Sequence, residues 1–172
     1  LPYSQALSWI GFGLLLARAF IPALRPLSVV ILFVFVTLTG LSLGPYLSIL
    51  LMVDPRLVIV SGGATLAIFG ALTAYTHISG KDFTYLYGFL FVALVAMIVL
   101  SLIQFFMPFG NTMNTIMNYA GALLFTAYIL ADTSAITRQY FAVNDASGAA
   151  LALFLDILNL FLYLLRLFSR RD

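Results

Sequence analysis

The chain has 172 residues, 63% of them apolar and 8% charged, with a mean hydropathy of +1.12. Soluble domains carry about 25% charged residues, so an ordinary water-soluble globule is excluded, as are a disordered chain, a collagen-like rod and a nucleic-acid binder. The net charge is only +2, from eight Lys and Arg against six Asp with no Glu, and the absence of cysteine removes disulfides, thiolate metal sites and Cys nucleophiles while leaving the redox compartment open. What remains is an all-α, polytopic transmembrane helical bundle.

A helix needs about 20 mainly apolar residues to cross a hydrocarbon core about 30 Å thick, and six stretches qualify in chain order. Span A covers about Leu1–Phe20, span B Leu27–Met52, span C Leu57–His77, span D Tyr85–Met107, span E Thr115–Thr137 and span F Gly148–Phe168. Helix breakers fall between them: Pro22 and Pro26, Asp54-Pro55, Ser79-Gly80-Lys81-Asp82, and Pro108-Phe109-Gly110-Asn111. Asn144-Asp145-Ala146-Ser147 supplies capping residues for the last span. The connections are short, so successive helices are antiparallel neighbours in one integral-membrane domain over residues 1–172. Barrel strands would alternate apolar and polar residues, whereas Phe89–Leu100 is continuously apolar. Leu1 is not a start methionine and no basic segment precedes span A, which points to a processed chain or one lacking an upstream segment. The positive-inside rule gives no orientation: Arg18, Arg25, Lys81 and Arg138 fall on one face, Arg56, Arg166, Arg170 and Arg171 on the other.

In so apolar a bundle, ionisable residues inside spans carry the information, because they are costly and face the bundle interior or a water-filled path. Asp132 in span E and Asp156 in span F are the two such residues. Each lies twelve residues from Asn144, the centre of the E–F connection, so an antiparallel hairpin places them at similar depth. Asp156, Asn159, Tyr163 and Arg166 are spaced by 3, 4 and 3 residues, and Asn118, Gly121, Phe125, Tyr128 and Asp132 follow the same rhythm; each set forms one helical stripe. Two such stripes meeting would make a wettable seam through the bundle, with Asn159, Tyr163 and Tyr128 lining it. Two adjacent carboxyls in a low dielectric cannot both ionise cheaply, so they titrate as a coupled unit. Arg18, ending span A on the same membrane face, is a candidate cation for that pair. The bland alternative is that the aspartates are interhelical glue, worth about 0.6 kcal/mol per hydrogen bond on average.

Other features read more plainly. His77, the single histidine, is expected to be solvated, and Arg166, Arg170, Arg171 and many tyrosines to be interfacial anchors, with Trp9 facing lipid or packing. Gly40-Leu41-Ser42-Leu43-Gly44 and Ser61-Gly62-Gly63-Ala64 match small-residue helix-packing patterns. Pro45 is expected to kink span B, and Gln104 to line a path or bond to a neighbour. Enzyme chemistry finds little support: one His and no Cys make no zinc cluster, and no phosphate-cradling GxxxxGK[ST] loop is present. Ala131 and Leu155 precede the aspartates where an intramembrane aspartyl protease would carry Tyr-Asp and Gly-x-Gly-Asp motifs.

The segment Gly121–Thr133, followed by Ala152–Phe161 and the apolar ending Leu164–Phe168, resembles the Bax inhibitor-1 (transmembrane Bax-inhibitor-motif) family, as do Phe69–Leu72 and Lys81–Leu86 more weakly. The resemblance implies seven transmembrane helices, the last surrounded by the other six, with this chain matching from the second onward. It implies a pH-sensing aspartate pair at Asp132 and Asp156, and an arginine at Arg18 able to engage the first of them. It further implies a pH-dependent calcium leak or, alternatively, a non-conducting regulator that binds a membrane protease or other membrane protein. No acid in span A joins the pair. Calcium wants six to eight oxygen ligands, so Asp132 and Asp156 would hold it weakly, as a permeant ion requires. The expectation is therefore a bacterial-type inner-membrane channel without a cofactor, whose partners are the lipid bilayer, calcium and, in the alternative, a membrane protein.

Overall fold

The structure, a computed structural model, describes residues 27–139 and 146–169 together with single positions 3, 6, 7, 10, 11, 13, 14, 17 and 21. Arg18, Trp9, most of span A and the E–F connection around Asn144 lie outside the described residues. Spans B to F are five helices long and apolar enough to cross a membrane: α1 (Ser28–Val53), α2 (Pro55–Ser79), α3 (Tyr87–Phe106), α4 (Asn111–Thr137) and α5 (Ala146–Phe168). A 3-10 turn at Thr84–Leu86 leads into α3.

The breakers act where local chemistry places them. The Asp54 side chain accepts a hydrogen bond from the Arg56 amide at 3.0 Å, and Pro55 occupies the first helical position, so one residue separates α1 from α2. Gly80 ends α2 in the left-handed region at φ 59°, its amide bonded to the Thr76 carbonyl, a conformation other residues adopt only with strain. Asp82 then accepts from the Thr84 amide at 2.9 Å and the Thr84 hydroxyl at 2.7 Å, starting the turn into α3. Span E begins earlier than the polarity of its first residues suggested: Asn111 already lies in the helix, behind an extended Gly110. Pro45 lies within α1, whose helical assignment runs unbroken on both sides of it.

The core is the α4–α5 pair. These two helices pack along each other, α2 packs against both, α1 lies on α2 and α5, and α3 on α4. Helix α4 is the least hydropathic span yet the most buried, at 56% of its best apolar window against 11% for α2 and 11% for the α3 span. Small and polar residues cause this, since Asn118, Gly121, Ala122, Ala131, Ser134 and Ala135 all lie on its buried faces. In hydrocarbon, helix contact is driven by close packing and polar groups rather than by apolar burial. Among the described residues the most enclosed helix is thus the penultimate one, not the last as the family resemblance implied.

The glycines divide in the same way. Around Gly40, Gly44, Gly62 and Gly63 an added Cβ would meet nothing within 4 Å, so the expected close contacts at both small-residue runs do not form through their glycines. Ser42 and Ser61 are the buried members instead, and α1 turns Gly40 and Gly44 outward. Gly121 is the opposite case, because its missing side chain is the space that the Tyr163 ring occupies. Replacing Gly by Ala in a helix gains about 0.5–1 kcal/mol, whereas overpacking a filled contact costs about 1–3 kcal/mol. Gly63→Ala should therefore raise the thermal midpoint of the detergent-solubilised protein and Gly121→Ala should lower it. The loss at Gly121 should shrink in a Tyr163→Ala background, as residues sharing one contact are non-additive.

Candidate functional site

Asp132 on α4 and Asp156 on α5 are both buried and line one cavity, close enough for their charges to interact. Two buried carboxyls so close are held most cheaply when one of them carries a proton. The Tyr87 hydroxyl donates to Asp132 Oδ1 at 2.6 Å, a short, charge-assisted geometry. Asp156 Oδ2 is buried with no hydrogen-bond partner. Both aspartates line a cavity of about 560 Å³ together with Thr84, Tyr87, Tyr128 and Leu155. Among the described residues they are the only charged ones lining it.

The cavity is held open from the connection between α2 and α3. Ser134, two residues beyond Asp132 on α4, accepts from the Phe83 amide at 3.0 Å and donates to the Lys81 carbonyl at 3.2 Å. The Arg138 guanidinium donates to the Gly80 carbonyl. These bonds fix residues 80–83 against the end of α4 and so set where α3 begins, which brings Tyr87 over Asp132. Tyr87 is the residue that sequence reasoning missed. Its position, early in span D on the membrane face shared with the E–F connection, is the available signal, but nothing local separates it from an interfacial tyrosine. Tyr46, Tyr75, Tyr85 and Tyr119 are exposed as that reading expected.

The other residues singled out from sequence are placed as follows. Tyr128 lines the cavity. Asn159 turns its amide back to the Leu155 carbonyl at 2.8 Å and borders neither this cavity nor the polar one described below. Tyr163 lies on Gly121, its ring stacked with Phe125 at 5.9 Å between centroids. The two stripes do face each other, but they do not make a continuous wet seam. Tyr163, Phe125 and the fully buried Leu160 pack the middle, leaving two cavities that share no lining residue among the described ones. Gln104 both donates to Asn114 Oδ1 and lines the second of these. His77 is exposed at the end of α2. Among the described residues no three His, Asp or Glu side chains cluster as a metal site.

A bundle of apolar helices around a buried carboxyl pair defines an integral, multi-pass membrane protein with an internal titratable site. Residues 2–172 match the family profile described as "Inhibitor of apoptosis-promoting Bax1". The chain is 35% identical over 156 residues to "Bax inhibitor 1" of Schizosaccharomyces pombe, covering 91% of this chain and 56% of that one. It is 35% identical over 151 residues to a "BI1-like protein" of Arabidopsis thaliana, covering 86% and 57%, and 38% identical over 136 residues to an "uncharacterized membrane protein" of Vibrio cholerae, covering 77% and 59%. The chain belongs to the Bax inhibitor-1 family and spans less than three fifths of the length of each of these relatives.

Removing the hydroxyl in Tyr87→Phe leaves a buried carboxylate oxygen without its donor. Hydrogen bonds to charged groups are worth about 1.5–3 kcal/mol, so Tyr87→Phe should lower stability by about that amount in thermal or denaturant unfolding. Tyr85→Phe, two residues away and exposed, should leave it unchanged.

Proposed function

We propose that the protein is a slow, pH-sensitive calcium leak of the membrane in which it resides, a bacterial-type inner membrane, gated by the Asp132–Asp156 pair. The observation that carries this reading is the buried Asp156 oxygen left without a partner beside a second carboxyl, inside a cavity, in a bundle surrounded by hydrocarbon. Pure interhelical glue satisfies its polar atoms, because an unpaired one is costly in that medium.

The mechanism follows from charge. While the pair shares a proton, one carboxyl donates to the other and α4 and α5 are held together at this level. Loss of that proton leaves two negative charges side by side. At about 4 Å and an effective dielectric near 20, they repel by about 4 kcal/mol, enough to shift a two-state equilibrium by about three decades. The helices then part, and the carboxylates offer a divalent cation a weak oxygen site. With only two carboxylates, calcium is bound loosely enough to leave. The packed layer of Tyr163 and Phe125 on α4 is the barrier such an ion has to pass.

Calcium entry into dye-loaded proteoliposomes, followed across pH, tests the reading. Flux should rise with pH through the range in which the pair loses its shared proton. Asp156→Asn, which keeps a hydrogen-bond donor that cannot be lost, should give a flat, low profile, and Asp132→Asn should also abolish the pH dependence. A flux equal to that of empty vesicles at every pH, from protein shown to be folded, would reject the leak and favour a non-conducting regulator that acts by binding a membrane protein.

A further inference from the structure

At the opposite end of the bundle from the carboxyl pair, the last turn of α3, the first turns of α4 and the last turns of α5 enclose a second cavity of about 220 Å³. Its polar walls are Ser101, Gln104, Asn114, Asn118, Tyr163 and Arg166, and no carboxylate of the described residues borders it. Most small-molecule pockets measure about 300–1,000 Å³, so this one suits a single compact group.

Arg166 is the only charged side chain among the described residues that line this space. The Arg166 guanidinium lies over the Tyr163 ring, 5.6 Å from its centroid, with no carboxylate partner among the described residues. Asn118 is 6% exposed, lines the cavity, and has no hydrogen-bond partner among the described residues. A buried amide in that state normally marks a missing ligand or water. Gln104 spends one amide hydrogen on Asn114 Oδ1 and retains a second. The 27-residue α4 starts at Asn111 behind Gly110, with no side-chain cap and no acidic residue in its first turn. The positive end of its dipole lies at this level, beside the negative ends of the α3 and α5 dipoles. The ends of three spanning helices also put the cavity at the depth where a bilayer changes from hydrocarbon to headgroups.

We propose that this cavity is a binding site for a phosphate oxyanion, held by the Arg166 guanidinium and the Asn118 amide. Arginine suits the task because its planar fork presents paired donors to two phosphate oxygens. The phosphate could be supplied by a phospholipid headgroup entering from the bilayer or by free phosphate from the aqueous side. Both satisfy the same donors.

The full chain, stripped of lipid in a neutral detergent, separates these sources. Native mass spectrometry would measure retention of phosphatidylglycerol against monoglucosyldiacylglycerol, which has no phosphate, and calorimetry would measure inorganic phosphate. The wild-type protein should retain one phosphatidylglycerol and release the glucolipid. Arg166→Gln should weaken retention by about tenfold or more, the loss of one charge-assisted bond. Asn118→Ala should weaken it less, and Arg166→Lys should fall between wild type and Arg166→Gln. Arg56→Gln, which removes a charge on the same membrane face but outside the cavity, should change nothing. Because Arg166→Lys keeps the charge and the bulk of the side chain, a graded response separates lost binding from lost folding. Binding of inorganic phosphate that depends on Arg166, without retention of phosphatidylglycerol, would place the source in water and keep the site. Failure of wild type to bind either probe, or equal binding by Arg166→Gln and Asn118→Ala, would overturn the proposal.

Discussion

Two carboxyls side by side in a hydrocarbon slab constrain the rest of this bundle. Neither can be exposed to lipid, and they cannot both carry charge without strong repulsion, so α4 and α5 must meet in the register that sets Asp132 and Asp156 side by side in one cavity. The neighbours follow from that register. Tyr87 has to arrive at Asp132 from α3, which requires the 80–83 connection to be pinned by Ser134 and Arg138. Further along the pair, the Tyr163 ring has to lie on a residue with no side chain, and Gly121 supplies it. One polar contact thereby sets the depth of three helices.

The distribution of apolar residues is the reverse of a soluble protein's. The outer faces of α1, α2 and α3 carry the large aliphatic and aromatic side chains, and the most buried helix is the least hydropathic one. Lipid tails are as apolar as leucine, so burying leucine between helices gains little. Small residues that allow backbones to approach, and polar residues that find partners there, are what hold α4 at the centre. Such an interior keeps polar groups without the ordinary cost of placing them in a greasy core, and both cavities are built from them.

Much of this could be read from the chain alone. The spans follow from length and hydropathy, and the level of the two aspartates from their equal distance to the E–F connection. Their facing follows from the 3-4 rhythm of each stripe. Other features depended on tertiary contact. Tyr87 contacts Asp132 across 45 residues of chain, and no local pattern distinguishes it from the exposed Tyr85. Gly40 and Gly44 have the same spacing as a packing motif, but the face they occupy is decided by where Ser42 and Phe35 are buried. The break between the two cavities rests on one ring filling the space over one glycine, and periodicity carries no information about volume.

The single residue between α1 and α2 has a mechanical consequence. With Asp54 capping one helix immediately after the other ends, the two share an end and form a leaf of two helices. Since α2 packs on α4 and α5 while α1 adds contacts to α5, parting that leaf from the core changes how much of the bundle's cross-section the surrounding lipid must accommodate. A motion that changes in-plane area does work against membrane tension. Under the proposed gating, the lateral stress of the bilayer would enter the same balance as the charge on the two aspartates.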